Sequence, residues 1–307
     1  MQRIGKLTLR YYQVRRLLRV RNFSEEEYQI IYQAYVTEGR GMLYTSKLVN
    51  SSPETVKRFL KSKGIHIRSQ GEAAVISNKN RATKKDTDYF KRQCPNMAWL
   101  LGFIASDGTI RKNENEIKIG LAAKDREILE KIKTELQLQT EVKDYTTNTG
   151  YDTCTLKWTC EEHKKDLADY HIVPAKTFVL KPPIEKLDRK YWIDYIRGYF
   201  DGDGSVNLIA NSNGRGNGNL RWQVCSATSE LLEWIVNFFY EEYGIPKVNV
   251  QAQNRPGSQH TLYSIQYSSR ATRQIYNVLY TPNSLYLKRK KEHFEEILAK
   301  VKPLDSM

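Results

Sequence analysis

Apolar and polar positions alternate along this chain in two rhythms, and the rhythm changes near residue 96. Before it, the spacing is helical. Tyr28, Ile31, Tyr32 and Tyr35 share one face of a helix that Ser24-Glu-Glu-Glu27 opens as a capping box. In that box Ser24 accepts from the backbone N–H of Glu27, whose carboxylate reaches back. The helix stops at Gly39-Arg-Gly41, and a short helix follows around residues 45–49. A third starts after Asn50-Ser-Ser, with Pro53 in its first turn, and Gly64 closes it. Its Val56, Phe59 and Leu60 face inward, while Lys57, Arg58, Lys61 and Lys63 face out. The polar stretch 72–95 reads as a linker.

From residue 96 the period becomes that of strands interleaved with helices, and the pattern is written twice. In the first copy Ile117, Ile119 and Leu121 alternate with polar positions, and residues 124–138 carry Ile128, Leu129, Ile132 and Leu136 on one helical side. A hairpin then turns at Asn148-Thr-Gly150. Its return strand puts Cys154, Leu156, Trp158 and Cys160 on one face and Thr153, Thr155, Lys157 and Thr159 on the other. The second copy matches. Leu220, Trp222 and Val224 alternate, residues 229–243 form a helix ended by Gly244, and residues 247–254 alternate Val248, Val250 and Ala252 with Asn249, Gln251 and Gln253. Tyr263, Ile265 and Tyr267 then alternate with Ser264, Gln266 and Ser268. The expected class is α+β with antiparallel sheets whose apolar faces pack on helices, plus a small all-α unit. The expected divisions are a basic arm 1–22, a three-helix unit 23–71, the linker 72–95, and repeats at 96–187 and 188–307. The Asn/Gly-rich stretch 211–219 reads as a hairpin tip.

Charge narrows the partners. Of 49 basic and 35 acidic residues, residues 1–95 hold 20 and 8, while residues 96–307 hold 29 and 27. A basic segment of that density meets a polyanion and releases counterions on binding, so nucleic acid is expected. The three short helices with a basic last one fit a helix-turn-helix, with Arg68 just beyond it. The outward sheet faces offer Arg111, Lys118, Lys143 and Lys157 in the first copy. In the second they offer Arg221, Gln223, Asn249, Gln251, Gln253 and Gln266, types that bond guanine and adenine edges. No apolar run is long enough for a membrane helix, and the N-terminus lacks a continuous apolar segment. Cys94, Cys154, Cys160 and Cys225 show no CxxC spacing, which fits a reducing intracellular compartment (cytoplasm or nucleoid, or host cytoplasm for a phage-encoded chain) and no disulfide framework.

The decisive pattern is a phrase written twice, WLLGFIASDGTI at 99–110 and YIRGYFDGDGSV at 195–206. Gly102 and Gly198 lie inside helical runs, at a cost on the order of 1 kcal/mol against Ala. Close backbone approach explains it. Ser106 and Gly202, four residues on, continue a smooth stripe, so the two helices can pack together and bring Asp107 and Asp203 to one place. Two such carboxylates repel unless protonated or bridged by a cation, and a hard oxygen-loving ion such as Mg²⁺ is the natural bridge. In a basic protein this points to phosphodiester cleavage.

At these residues the chain resembles the LAGLIDADG homing endonucleases in their single-chain, two-repeat form. The resemblance implies two pseudo-symmetric αββαββα repeats over about residues 96–300, motif helices at the interface, and antiparallel sheets forming a saddle over duplex DNA. It implies a monomer with internal two-fold pseudosymmetry making a site-specific double-strand cut that supports mobility of an intron or similar element. Asp107 and Asp203 match the metal-binding acids, with Ser106, Gly108, Gly202 and Gly204 at the same site. Mg²⁺ is expected, with Mn²⁺ substituting and Ca²⁺ binding without cleavage. The family's late lysine falls at Lys176 and at Lys288, with Lys290 as an alternative. Ala105 replaces an acid that Asp201 keeps, a position expected to cap the helix. No Cys or Ser opens the chain and no His-Asn ends it, so a free-standing or intron-encoded frame is expected. A non-cleaving regulator or an RNA maturase on the same scaffold is the alternative.

Overall fold

The computed structural model describes residues 21–82, 85–209, 219–254, 260–282 and 284–301. The arm up to residue 20 and most of the Asn/Gly-rich tip therefore lie outside the described residues. The chain divides into two compact units, Met1–Lys84 and Lys85–Met307.

In the first unit, α1 (Glu25–Tyr32) opens with the Ser24/Glu27 capping box, both of whose bonds are made. A π-helical turn, Gln33–Thr37, extends it. Because that turn is wider, Ile31 and Tyr35 are buried whereas Tyr32 is exposed, so the expected four-residue face is broken. Helix α2 spans Met42–Leu48, and α3 spans Pro53–Ser62 with Ser52 accepting from Thr55 N–H. Val56, Phe59 and Leu60 of α3 close a core with Ile31, Tyr35 and Val49. Gly64 takes φ +73° just past α3. The expected linker instead begins with a helix, α4 (Gln70–Ala82). Ser69 and Glu72 form a second capping box there, Ser69 N–H donating to Glu72 Oε2 at 2.7 Å and Glu72 N–H to Ser69 Oγ at 3.2 Å.

The second unit mixes helices with two four-stranded antiparallel sheets of the same strand order. Helix α5 (Pro95–Asp107) leads into β1 (Gly108–Ile110) and β2 (Glu116–Ala122), then α6 (Arg126–Glu135), β3 (Lys143–Thr146), β4 (Asp152–Thr159) and α7 (Glu161–Asp169). The second copy runs α8 (Trp192–Asp203), β5 (Gly204–Ile209), β6 (Asn219–Ser226), α9 (Ser229–Tyr243), β7 (Gln251–Asn254), β8 (Thr261–Ser268) and α10 (Ser269–Leu279), followed by α11 (Lys288–Lys300). The sheets order as β1-β2-β4-β3 and β5-β6-β8-β7.

Alternation sets the sheet faces as expected at Cys154, Leu156, Trp158, Leu220, Trp222, Val224, Ile265 and Tyr267, all buried. There are three departures, of which one is Ala252, expected on the apolar side yet exposed. Ser264, on the polar side, is fully buried, and β7 begins only at Gln251, so Asn249 lies outside the strand. Val248 and Val250 still pack on the core without pairing their backbone. Gly244 ends α9 at φ +63°, a left-handed conformation glycine adopts at no steric cost. The four cysteines form no disulfide. Among the described residues, no helix is long and apolar enough to cross a membrane.

Candidate active site

The seam of the second unit is the contact between α5 and α8, and its register is reciprocal. A Cβ added at Gly102 would lie 2.0 Å from the Tyr195 carbonyl oxygen and 2.8 Å from Tyr199 N; one added at Gly198 would lie 1.9 Å from the Trp99 carbonyl oxygen and 2.9 Å from Phe103 N. Each glycine thus meets the residues three before and one after the other glycine, which is what a local two-fold axis requires. Only glycine lets the backbones approach this closely. One turn further, a Cβ at Gly202 would fall 1.9 Å from Ser106 Oγ and 3.1 Å from Asp107 Oδ2. The small stripe therefore delivers Asp107, the last residue of α5, to the end of α8, where Asp203 is the last residue.

The electrostatics agree with that proximity. Burial pushes the Asp107 carboxyl up to about 6, and the charge of Asp203 pushes in the same direction, against the opposing pull of Lys290 and Lys176. Burial also raises Asp203, while Lys290, Lys176 and the hydroxyl of Tyr199 favour its charged form. Burial lowers Lys176, and it lowers Lys290 to about 8.

Both lysines are held in place. Lys176 is buried in a 3₁₀ turn (Lys176–Phe178) after Ala175 at φ +56°, and its ammonium donates to the Gly108 carbonyl. Lys290 Nζ donates to the Phe200 and Gly202 carbonyls, each at 2.7 Å. Lys288, expected in this role, is corrected. Its side chain is 64% exposed, it pairs with Glu292 at 3.8 Å, and it lies by α6 near Glu127.

The protein donors available to a cation are the two carboxylates. Ser106 Oγ turns back to donate to the Gly102 and Phe103 carbonyls, and the carbonyls of Gly108 and Gly202 each already accept from a lysine. Gly204 opens β5, with its backbone in the ladder opposite Val224. Among the described residues, no three His, Cys, Asp or Glu side chains gather around a common point. Two carboxylates and an incomplete shell fit Mg²⁺, which keeps waters and takes substrate phosphate oxygens, better than an ion needing an all-protein cage.

One residue at this seam escaped the pattern of the sequence, and another, Asp201, takes a different part from the expected one. Tyr199 donates its hydroxyl to the Cys225 carbonyl at 3.1 Å and lies beside Asp203; its counterpart on α5 is Phe103. Asp201 does not cap its helix. Only 1% exposed, it accepts from Trp99 Nε1 of the facing helix at 2.8 Å, from Leu287 N–H at 2.9 Å and from the Tyr280 hydroxyl at 3.3 Å. Its carboxyl is pushed up to about 6 by burial. Its partners lie far away along the chain, where no local pattern can show them.

The expected nucleic-acid positions distribute unequally. On the first sheet, Lys118 and Lys157 are directly opposed, and Lys143 faces Thr155 on the neighbouring strand. The nearly buried Glu116 pairs with Lys157 at 2.8 Å and with Arg111 at 3.2 Å. On the second sheet Arg221 is followed by Gln223, opposite Gln266, while Gln251 and Gln253 occupy the edge strand. The first face is cationic; the second is mostly neutral amide and hydroxyl. In the first unit, Lys57 and Arg58 lie 3.8 and 3.7 Å from Glu54, Lys61 is exposed, and Lys63 caps the Tyr28 ring at 5.3 Å. Arg68 is absorbed into the fold, its guanidinium 3.9 Å from the Tyr35 ring centre and bonded to the Arg40 carbonyl at 2.6 Å.

Residues 95–163 match the model of the LAGLIDADG-like domain. The LAGLIDADG-like segment thus runs from the start of α5 into α7, and α8 to α10 repeat its element order. The uncharacterised protein MJ0314 of Methanocaldococcus jannaschii is 25% identical over 200 residues, covering 62% of this chain and 67% of its own length. Among solved structures, the LAGLIDADG meganuclease I-AabMI bound to uncleaved DNA aligns at TM-score 0.44 and 14% identity, covering 67% of this chain and 90% of that one. The homing endonuclease I-WcaI bound to its DNA recognition sequence aligns at 0.44 and 12%, covering 74% and 95%.

Proposed function

We propose that this protein is a site-specific DNA endonuclease that hydrolyses one phosphodiester in each strand of a duplex, using divalent metal held by Asp107 and Asp203. The observation that carries this reading is the reciprocal packing of Gly102 and Gly198, which has no need of charge at its end yet terminates in two repelling carboxylates, Asp107 half-buried and Asp203 open to solvent, flanked by two lysines. A solely structural seam would end in neutral or oppositely charged groups. When bound, a cation such as Mg²⁺ (or Mn²⁺) would neutralise the carboxylates and withdraw charge from the scissile phosphate; Ca²⁺ would support binding alone. Lys176 and Lys290 supply positive charge at each side of the seam, where charge builds on the phosphate oxygens. Lys176 is buried and Lys290 half-buried beside their carbonyl acceptors.

The two sheet faces would contact DNA on either side of the cut, the first through Lys118, Lys143 and Lys157 and the second through Arg221, Gln223 and Gln266. The first unit would add DNA contacts through α3 in helix-turn-helix fashion, with Lys57, Arg58 and Lys61 at its surface. The long target implied suits mobility of an intron or similar element. Incubating the full chain in Mg²⁺ with a randomised duplex library, and with a plasmid carrying the uninterrupted form of the locus that encodes it, tests this reading. Recovery of one discrete double-strand cut supports it. Specific binding without cutting in Mg²⁺ or Mn²⁺ replaces it with a regulator.

A further inference from the structure

The two lysines are held by different devices, and that of Lys290 includes an ion pair that crosses between repeats. Lys176 is fixed by its own tight turn. Lys290 sits in the first turn of α11, a helix with no side-chain cap at its start. Two carboxylates hold that first turn instead. Asp201 accepts from Leu287 N–H at 2.9 Å. Asp125, which precedes α6 in the first repeat, takes the Arg289 guanidinium in a fork: Nε to Oδ1 at 3.0 Å and to Oδ2 at 3.1 Å, and Nη2 to Oδ2 at 2.9 Å. The carboxylate side is 4% exposed and the guanidinium 44% exposed, so the fork is anchored on its acidic end. A planar fork fixes direction as well as distance, unlike a single point contact. Arg289 is adjacent to Lys290, so any rotation of this turn moves Lys290 Nζ off its two carbonyls.

We infer that Asp125 is a positioning residue: through Arg289 it sets the place of Lys290, so that one of the two strand cuts depends on a carboxylate of the opposite repeat that touches neither substrate nor metal. This rests on the nuclease reading for its consequence, not for its geometry. Among the described residues no ion pair restrains the Lys176 turn; Phe178 of that turn lies against the His260 ring with centres 4.0 Å apart, and the ammonium itself is placed by residue 175 and the Gly108 carbonyl. Loss of the fork therefore acts on one strand, and Arg289→Ala reads it without removing the Asp125 charge, which also pushes the Asp107 carboxyl up.

Two readouts on the full chain test it. The first needs neither metal nor DNA. In Asp125→Asn and Arg289→Ala, the limiting high-pH rate at which acetic anhydride labels Lys290, where the amine is fully free, rises several-fold over the unaltered protein while that of Lys176 is unchanged, both followed by mass spectrometry. The second uses the duplex recovered above. Both variants accumulate nicked product, slowing by on the order of tenfold the same strand that Lys290→Gln slows, because small misplacements of a positioned group cost rate steeply. Arg289→Lys, which keeps the charge without the fork, gives an intermediate effect and guards against misfolding in the other two. Unchanged Lys290 labelling in a folded variant overturns the inference, as does equal slowing of both strands. Failure of the unaltered protein to cut refutes the nuclease reading, and the labelling still decides this one.

Discussion

Replacing Asp107 by Asn should stabilise the metal-free protein at neutral pH. The seam holds the Asp107 carboxyl at about 6, against 3.8 for the ordinary side chain, chiefly by burial and then by the charge of Asp203. At about 1.4 kcal/mol per pKa unit, ionised Asp107 costs the fold on the order of 2–3 kcal/mol. The sign follows from linkage. Between about pH 4 and 6 the native state holds more protons than the unfolded chain, so native stability falls as pH rises through that window and the full cost is present above it. The amide carries no charge and feels none of this. In EDTA at pH 7.5, Asp107→Asn should therefore unfold at a midpoint higher by roughly 5–10 °C for a unit of this size. At pH 4 and below the difference should vanish. Adding Mg²⁺ should close the gap, because a cation that binds only the native state at about a hundred times its dissociation constant contributes about 2.7 kcal/mol to the parent, and the variant has lost half of the carboxylate pair. Thermal unfolding followed by circular dichroism, over pH and metal concentration, measures all three. A variant less stable than the parent at pH 7.5 in EDTA, or a gain that persists unchanged at pH 4, refutes the electrostatic account of the seam.

Gly198→Ala puts a methyl 1.9 Å from the Trp99 carbonyl, and backbone cannot swing aside, so it should cost at least about 3 kcal/mol in denaturant unfolding. Gly202→Ala meets the Ser106 side chain instead and should cost about 1–3 kcal/mol. Lys118→Ala and Lys143→Ala should each lower the slope of log affinity against log salt by about one, measured by fluorescence anisotropy with duplex DNA. Gln223→Ala and Gln266→Ala should leave that slope unchanged and relax the preferred sequence in a binding selection.

Much of this architecture is written in local patterns. Period-two alternation gave the buried faces of β4, β6 and β8 because burial of one sheet face is a local consequence of the pleat. The repeated glycine and aspartate positions gave the seam because a mid-helix glycine asks for an explanation that close packing supplies. The failures have physical causes too. Val248 and Val250 satisfy the alternation by packing on the core, yet they do not pair; alternation reports burial, not hydrogen bonding. Residues 70–82 were masked by their polarity, although Ser69-Gln-Gly-Glu72 is a capping box of the same form as the one read at Ser24. Within Lys288-Arg289-Lys290, neighbouring side chains leave a helix about 100° apart, so the run cannot disclose which one faces the seam until the helix is docked. Docking is done by Asp201 and Asp125, which lie 86 and 164 residues from their partners. Tyr199 was invisible for the same reason, since an aromatic inside an apolar helix reads as core.

The central claim is that Asp107 and Asp203 act together, on a shared seam, to cut duplex DNA. Its most direct test compares the unaltered protein with Asp107→Asn and Asp203→Asn on the recovered duplex, measuring affinity in Ca²⁺ and strand scission in Mg²⁺. The account predicts that all three bind with comparable affinity and that neither variant produces a double-strand break. Linear product from either variant at the parent rate would contradict it.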